Sequence, residues 1–223
     1  MLRVLTRRPL SVIAVVGAAV TALAFTSPAS ATTTYGGNWQ MNEKTGQMLD
    51  SSGNQNNSIR IGPGITRSGS YYHFTGLGSI IVKTSATLQP GDRDFQVAAS
   101  VHLDATGDQN FIQKGGLSDT LGQWKLEISG THAHCRIAGT TGVASIWFWG
   151  VGPQLEKGFH TFTCTKYADH VTATLDKQTK TQTIAVGTVT TPRNVTIGGK
   201  GPNCGTDCDY TTGDIDWATL TYF

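Results

Sequence analysis

Glutamate is nearly missing from this chain: 223 residues contain three, Glu43, Glu127 and Glu156, all far apart in sequence. Glycoside hydrolysis ordinarily needs two carboxyl groups flanking the bond, about 5–5.5 Å apart for retention or 6.5–9.5 Å for inversion. The nearest approach to such a pair is Asp214 and Asp216, with no third acid at Trp217 or Ala218. No G-x-S-x-G elbow is present, and no C-x-x-C redox pair. These absences argue against an enzyme. Lys and Arg are scattered singly, so the basic footprint of a nucleic-acid binder is missing as well. No run of Leu, Ala, Glu and Lys favours long helices.

Long apolar runs are also few. The longest, Leu10 to Phe25, is about 16 residues, short for a membrane span and suited to a signal-peptide core. Arg3, Arg7 and Arg8 precede it, and Ala29-Ser30-Ala31 follows as a small-x-small cleavage site. A cleaved leader over 1–31 is expected, leaving a secreted domain over 32–223 with no membrane span. Without the three leader arginines, 14 of the 17 basic residues remain against 15 acids, a charge of −1. The positive excess of the full chain therefore belongs to the leader.

What remains is rich in Gly, Thr, Ser and Asn and arranged as short alternating strands between turns. Phe95 to Leu103 alternates with a period of two, as do Trp124 to Ile128 and Cys135 to Ile137. Phe159 to Thr165 and Val171 to Leu175 read as a hairpin turning at Ala168-Asp169. Ser70 to Phe74, Ser79 to Lys83, Thr179 to Val186, Val195 to Ile197 and Ile215 to Tyr222 bring the expectation to about a dozen strands. So many strands without intervening helices predict a two-sheet antiparallel sandwich or barrel, filled by one domain.

Four cysteines in an exported chain predict two disulfides. Three pairings are possible. Cys204 and Cys208 are close enough for a local loop, which leaves Cys135 to Cys164. A zinc site is disfavoured because Cys204 and Cys208 lack a second ligand pair at the usual spacing.

The order Trp39-Gln-Met-Asn42-Glu43, Asp50-Ser-Ser-Gly53-Asn54, Gln123-Trp124-Lys-Leu-Glu-Ile, Phe159-His160-Thr-Phe-Thr-Cys164 and Cys208-Asp-Tyr-x-x-Gly-Asp-Ile-Asp-Trp217 resembles the laminin G-like jelly-roll domains of secreted actinobacterial proteins. Those belong to the concanavalin A-like lectin/glucanase superfamily. The resemblance covers essentially the whole of 32–223. It implies an all-β two-sheet jelly roll, bridges 135–164 and 204–208, carbohydrate or surface-protein binding and, in many relatives, structural calcium. It places Trp39, Trp124 and Trp217 at framework positions, expected in the core. The superfamily's glucanases carry Glu-x-Asp-x-Glu or a close variant on one strand, which this chain lacks.

Calcium wants six to eight oxygens. The turn-prone stretch Asp50-Ser51-Ser52-Gly53-Asn54-Gln55-Asn56-Asn57 is oxygen-rich, and the resemblance brings it close to the last strand, which carries Asp216. Asp50, Asn54 and Asp216 are therefore the candidate ligands, with Asn42 standing where many relatives have Asp. The alternative is that Asp50 and Asn54 bond their own backbone in an Asx-type turn.

For a ligand, the telling segment is Ser145-Ile-Trp147-Phe-Trp149-Gly150. If extended, it puts Trp147 and Trp149 on one face and Ile146 and Phe148 on the other. Flat indoles suit the apolar face of a sugar ring, whereas a Trp-rich core layer is the alternative. His132 and His134, also on one strand face, read as solvated surface, the alternative being a metal pair where other ligands approach. The expectation is a non-catalytic, monomeric secreted module binding carbohydrate through Trp147 and Trp149, with an extracellular protein as the alternative partner.

Overall fold

The computed structural model describes residues 33–116, 122–201, 204–205 and 207–223. The expected leader, 1–31, and its cleavage point lie outside them. Fifteen strands form two antiparallel sheets. In chain order they are β1 Thr34–Trp39, β2 Ser58–Ile61, β3 Ile65–Arg67, β4 Tyr72–Thr75, β5 Ile80–Val82, β6 Phe95–Leu103, β7 Gln109–Lys114 and β8 Gln123–Ser129. They continue as β9 His132–Ala138, β10 Val143–Phe148, β11 His160–Lys166, β12 His170–Leu175, β13 Gln178–Thr183, β14 Val195–Ile197 and β15 Thr212–Tyr222. Among the described residues the helical elements are one 3-10 turn and the four-residue helix Gly152–Leu155, and no helix is long and apolar enough to cross a membrane.

One sheet runs β13-β12-β11-β6-β15-β4-β3 with β1 also on β15; the other runs β10-β9-β8-β7-β14-β5-β2. The expected alternation is visible in β6, where Phe95, Val97, Ala99, Val101 and Leu103 all face inward. The inner faces meet in a core that includes Trp39, Trp124, Phe74, Phe111 and Phe162, all fully buried. Phe148 of β10 meets Phe162 of β11 edge to face, with centroids 5.8 Å apart, the arrangement that ring quadrupoles favour.

Both expected disulfides are present. Cys135–Cys164 joins β9 of one sheet to β11 of the other, and Cys204–Cys208 closes the loop before β15. The Gly76-Leu77-Gly78 turn does not make a hairpin: β4 pairs with β15 and β3, whereas β5 pairs with β14 and β2, so the turn carries the chain from one sheet to the other.

The expectation that Trp217 is core is corrected. A β-bulge between Ile215 and Trp217 leaves Asp216 as the extra residue and sets Trp217 opposite Ser100. The inserted residue breaks the period of two. Trp217 is thereby half-buried on the solvent face of the eight-stranded sheet, where it borders a cavity of about 540 Å³.

Candidate functional site

The segment carrying Trp147 and Trp149 is extended through Phe148, where β10 pairs with β9 and sets Trp147 opposite His134, and Trp149 stands in the turn that follows. Ile146 and Phe148 go to the core, and the two indoles share the outer face. Trp149 is 66% exposed. Its ring stacks on Trp147 with centroids 5.6 Å apart and planes within 19°. Trp147 stacks in turn on the imidazole of His134, at 3.7 Å and 4°. His132 meets the edge of Trp149 at 4.5 Å and its Nδ1 accepts the Gly150 N–H at 2.9 Å.

Sequence reasoning missed what lies beneath. His134 is not solvated surface but 4% exposed, and Glu127 is 6% exposed beside it. Glu127 Oε1 lies 2.6 Å from His134 Nδ1 and 2.6 Å from Lys125 Nζ. His134 Nε2 lies 2.8 Å from Ser145 Oγ, and Trp147 Nε1 donates to the same oxygen at 3.1 Å. Because the indole only donates, the Ser145 oxygen accepts from it and so joins Trp147 to the His134–Glu127 pair. Burial alone would raise the Glu127 carboxyl, but the His134 hydrogen bond and Lys125 overcome it and hold its pKa below the ordinary glutamate value. The signal was available in the hairpin count. Residues 127 and 134 are equidistant from the Gly130-Thr131 turn and therefore face each other.

Ser145, His134 and Glu127 have the spacing of a nucleophile, base and orienting acid. The surroundings do not suit attack. The Trp147 ring covers the imidazole, its N–H holds the serine oxygen, and the Ser145 N–H that could steady an oxyanion is bound to Gln182 Oε1 at 2.9 Å. The network instead fixes the orientation of Trp147.

The three expected calcium ligands form no oxygen cage. Asp50 Oδ1 accepts the Asn38 and Ser52 N–H groups at 2.9 and 3.0 Å, and Oδ2 accepts that of Asn56 at 2.9 Å. Asn54 donates its amide to the carbonyls of Tyr35 and Gly36. Asp216 sits at the bulge, where burial raises its pKa and the Ser100 hydroxyl opposes the rise. Among the described residues no group of three or more His, Cys, Asp or Glu side chains is placed to hold a metal ion. These hydrogen bonds, several of them to β1, already engage both Asp50 oxygens and the Asn54 amide nitrogen.

No protein-family model matches the chain, and no curated protein sequence does. Solved structures do. The botulinum neurotoxin serotype D binding domain superposes with a TM-score of 0.57 at 13% identity, over 84% of this chain and 48% of that one. Domains LG4-5 of the mouse laminin alpha1 chain give 0.54 at 11%, over 78% and 48%. The binding domain of botulinum neurotoxin DC, in complex with SialylT, gives 0.57 at 12%, over 85% and 48%. The same domain is also known in complex with rat synaptotagmin II. The chain spans about half the length of these structures. At such identities the likeness is one of fold: a laminin G-like β-sandwich, which with two disulfides fits an extracellular protein.

Proposed function

We propose that the protein is an exported, non-catalytic module, cleaved after Ala31, that binds carbohydrate through the aromatic shelf of Trp147 and Trp149. One observation carries the reading: a tryptophan 66% exposed, stacked on a second that is itself braced from below by His134. Leaving an indole in water forgoes the gain of burying it, and here the ring is also held rigid, so a ligand ring can stack at little further cost in entropy. That solved neighbours are binding domains is consistent with this role.

The test is a glycan array probed with the purified protein and with Trp149→Ala, which leaves the His134 network in place. Retention on one glycan class, lost in the variant, supports the reading. A folded protein that ignores every glycan overturns it and turns attention to an extracellular protein partner.

A further inference from the structure

The solvent face of the seven-stranded sheet carries an unbroken row of paired residues. Ser145 on β10 stands opposite Arg136, Arg136 opposite Lys125, Lys125 opposite Gln113, Gln113 opposite Thr196, and Thr196 opposite Ile81. Trp147, two residues after Ser145, shares that face. The row thus begins at the aromatic shelf. Its far end opens into a cavity of about 510 Å³ bordered by Lys125, Gln113, Thr196 and Ile81, with Gln123 beside them. Pockets for small ligands span roughly 300–1,000 Å³.

The polar groups in this cavity are buried yet incompletely engaged. Gln123, Thr196 and Gln113 are 4%, 7% and 8% exposed. The Thr196 hydroxyl is buried with no hydrogen-bond partner, a condition proteins rarely tolerate without a reason. Gln113 reaches the Lys200 carbonyl only at 3.4 Å, and Gln123 uses its oxygen to accept from Arg136 Nε. The lysines here already have counter-ions: Lys125 has Glu127 at 2.6 Å, and Lys200 has Asp207 and Asp209 at 2.8 Å each. The buried amides and hydroxyl that remain suit groups that donate and accept at once, as sugar hydroxyls do.

We propose that the shelf and the cavity are two ends of one track for a neutral glycan chain, with one ring stacked on Trp149 and a distal hydroxyl bonded to Thr196. This rests on the carbohydrate reading above and specifies its ligand. Ser145 on β10 and Thr196 on β14 are four strand spacings of about 4.8 Å apart, or about 19 Å, and Trp149 lies four residues beyond Ser145. The ligand is accordingly an oligosaccharide rather than a single ring.

The experiment is calorimetric titration with mono- to hexasaccharides from xylan, mannan and β-glucan, alongside an oligogalacturonate of matching length. The wild type is compared with Thr196→Val, Thr196→Ser and Trp149→Ala. The expected result is affinity that rises with chain length in one neutral series. Thr196→Val should weaken the hexasaccharide about three- to tenfold, the worth of one hydrogen bond, while leaving the disaccharide unchanged and the free protein at least as stable. Thr196→Ser should restore binding, and Trp149→Ala should weaken every length. Unchanged hexasaccharide binding in Thr196→Val, affinity independent of length, or preference for the oligogalacturonate would overturn the track while leaving the shelf as a sugar site. Silence of the wild type toward every glycan overturns the carbohydrate reading itself, and the track with it.

Discussion

The imidazole of His134 lies flat beneath the indole of Trp147, centroids 3.7 Å apart, and its far nitrogen closes a hydrogen-bond chain that returns to that indole through Ser145. The ring that supports the exposed Trp149 is therefore held by stacking and by a polar tether together, and Glu127 anchors the assembly from behind.

Glu127→Gln should cost about 1–3 kcal/mol at neutral pH, because a buried charged acceptor is lost. The Glu127 pKa is depressed in the folded state. Its contribution is thus full above the ordinary glutamate pKa and is lost as pH falls through the lower, folded value. Urea unfolding from pH 7 down to pH 3 should show the wild type losing stability over that acid window, with a shallower decline in the variant.

Replacing Cys135 and Cys164 by alanine unties the two sheets and should cost about 3–4 kcal/mol, whereas the same change at Cys204 and Cys208 should cost about 2 kcal/mol. Denaturant midpoints of the two double variants should rank in that order; the reverse order would show that the inter-sheet bridge adds little.

Ser145 should resist covalent labelling. A fluorophosphonate probe incubated with the folded protein is expected to leave its mass unchanged, since the serine oxygen is held by Trp147 and the imidazole is covered. A Ser145 adduct abolished by His134→Ala would show that the triad-like spacing is chemically active after all.

Asp50 acts on stability through three backbone N–H groups. Asp50→Ala should lower stability by about 2 kcal/mol or more, equally with calcium or EDTA in the buffer, and EDTA alone should leave the wild-type Tm where it is. A Tm that drops on chelation and recovers with calcium would restore a metal role to this turn.

Much of this architecture could be read from residue order, for identifiable reasons. β6 and β14 match their expected bounds because each packs one or both faces against apolar neighbours with no local interruption. β7, Gln-Asn-Phe-Ile-Gln-Lys, has no apolar alternation to read, yet all six residues are buried. Its Lys114 ammonium reaches partners distant in sequence, among them the Thr84 hydroxyl at 2.8 Å and the carbonyls of Thr191 and Arg193. β1 was hidden by Gly36 and Gly37, required because Thr87 and Tyr222 crowd the one and the Trp39 ring the other. Trp147 and Trp149 were legible from a two-residue period. Glu127 and His134 required knowing the hairpin, and the outward turn of Trp217 required a bulge that leaves no mark in composition.

β10 is the outermost strand of its sheet, and strands in that position are natural templates for filament growth. Here the Ser145 N–H is taken by Gln182, and the Trp147 carbonyl by Lys180 at 2.7 Å, both reaching across from β13 of the opposite sheet. The strand that leads into the exposed Trp149 is thus denied two of the contacts an incoming strand would need. An exposed indole pair can in this way stand beside a strand edge that is poorly suited to templating a fibre.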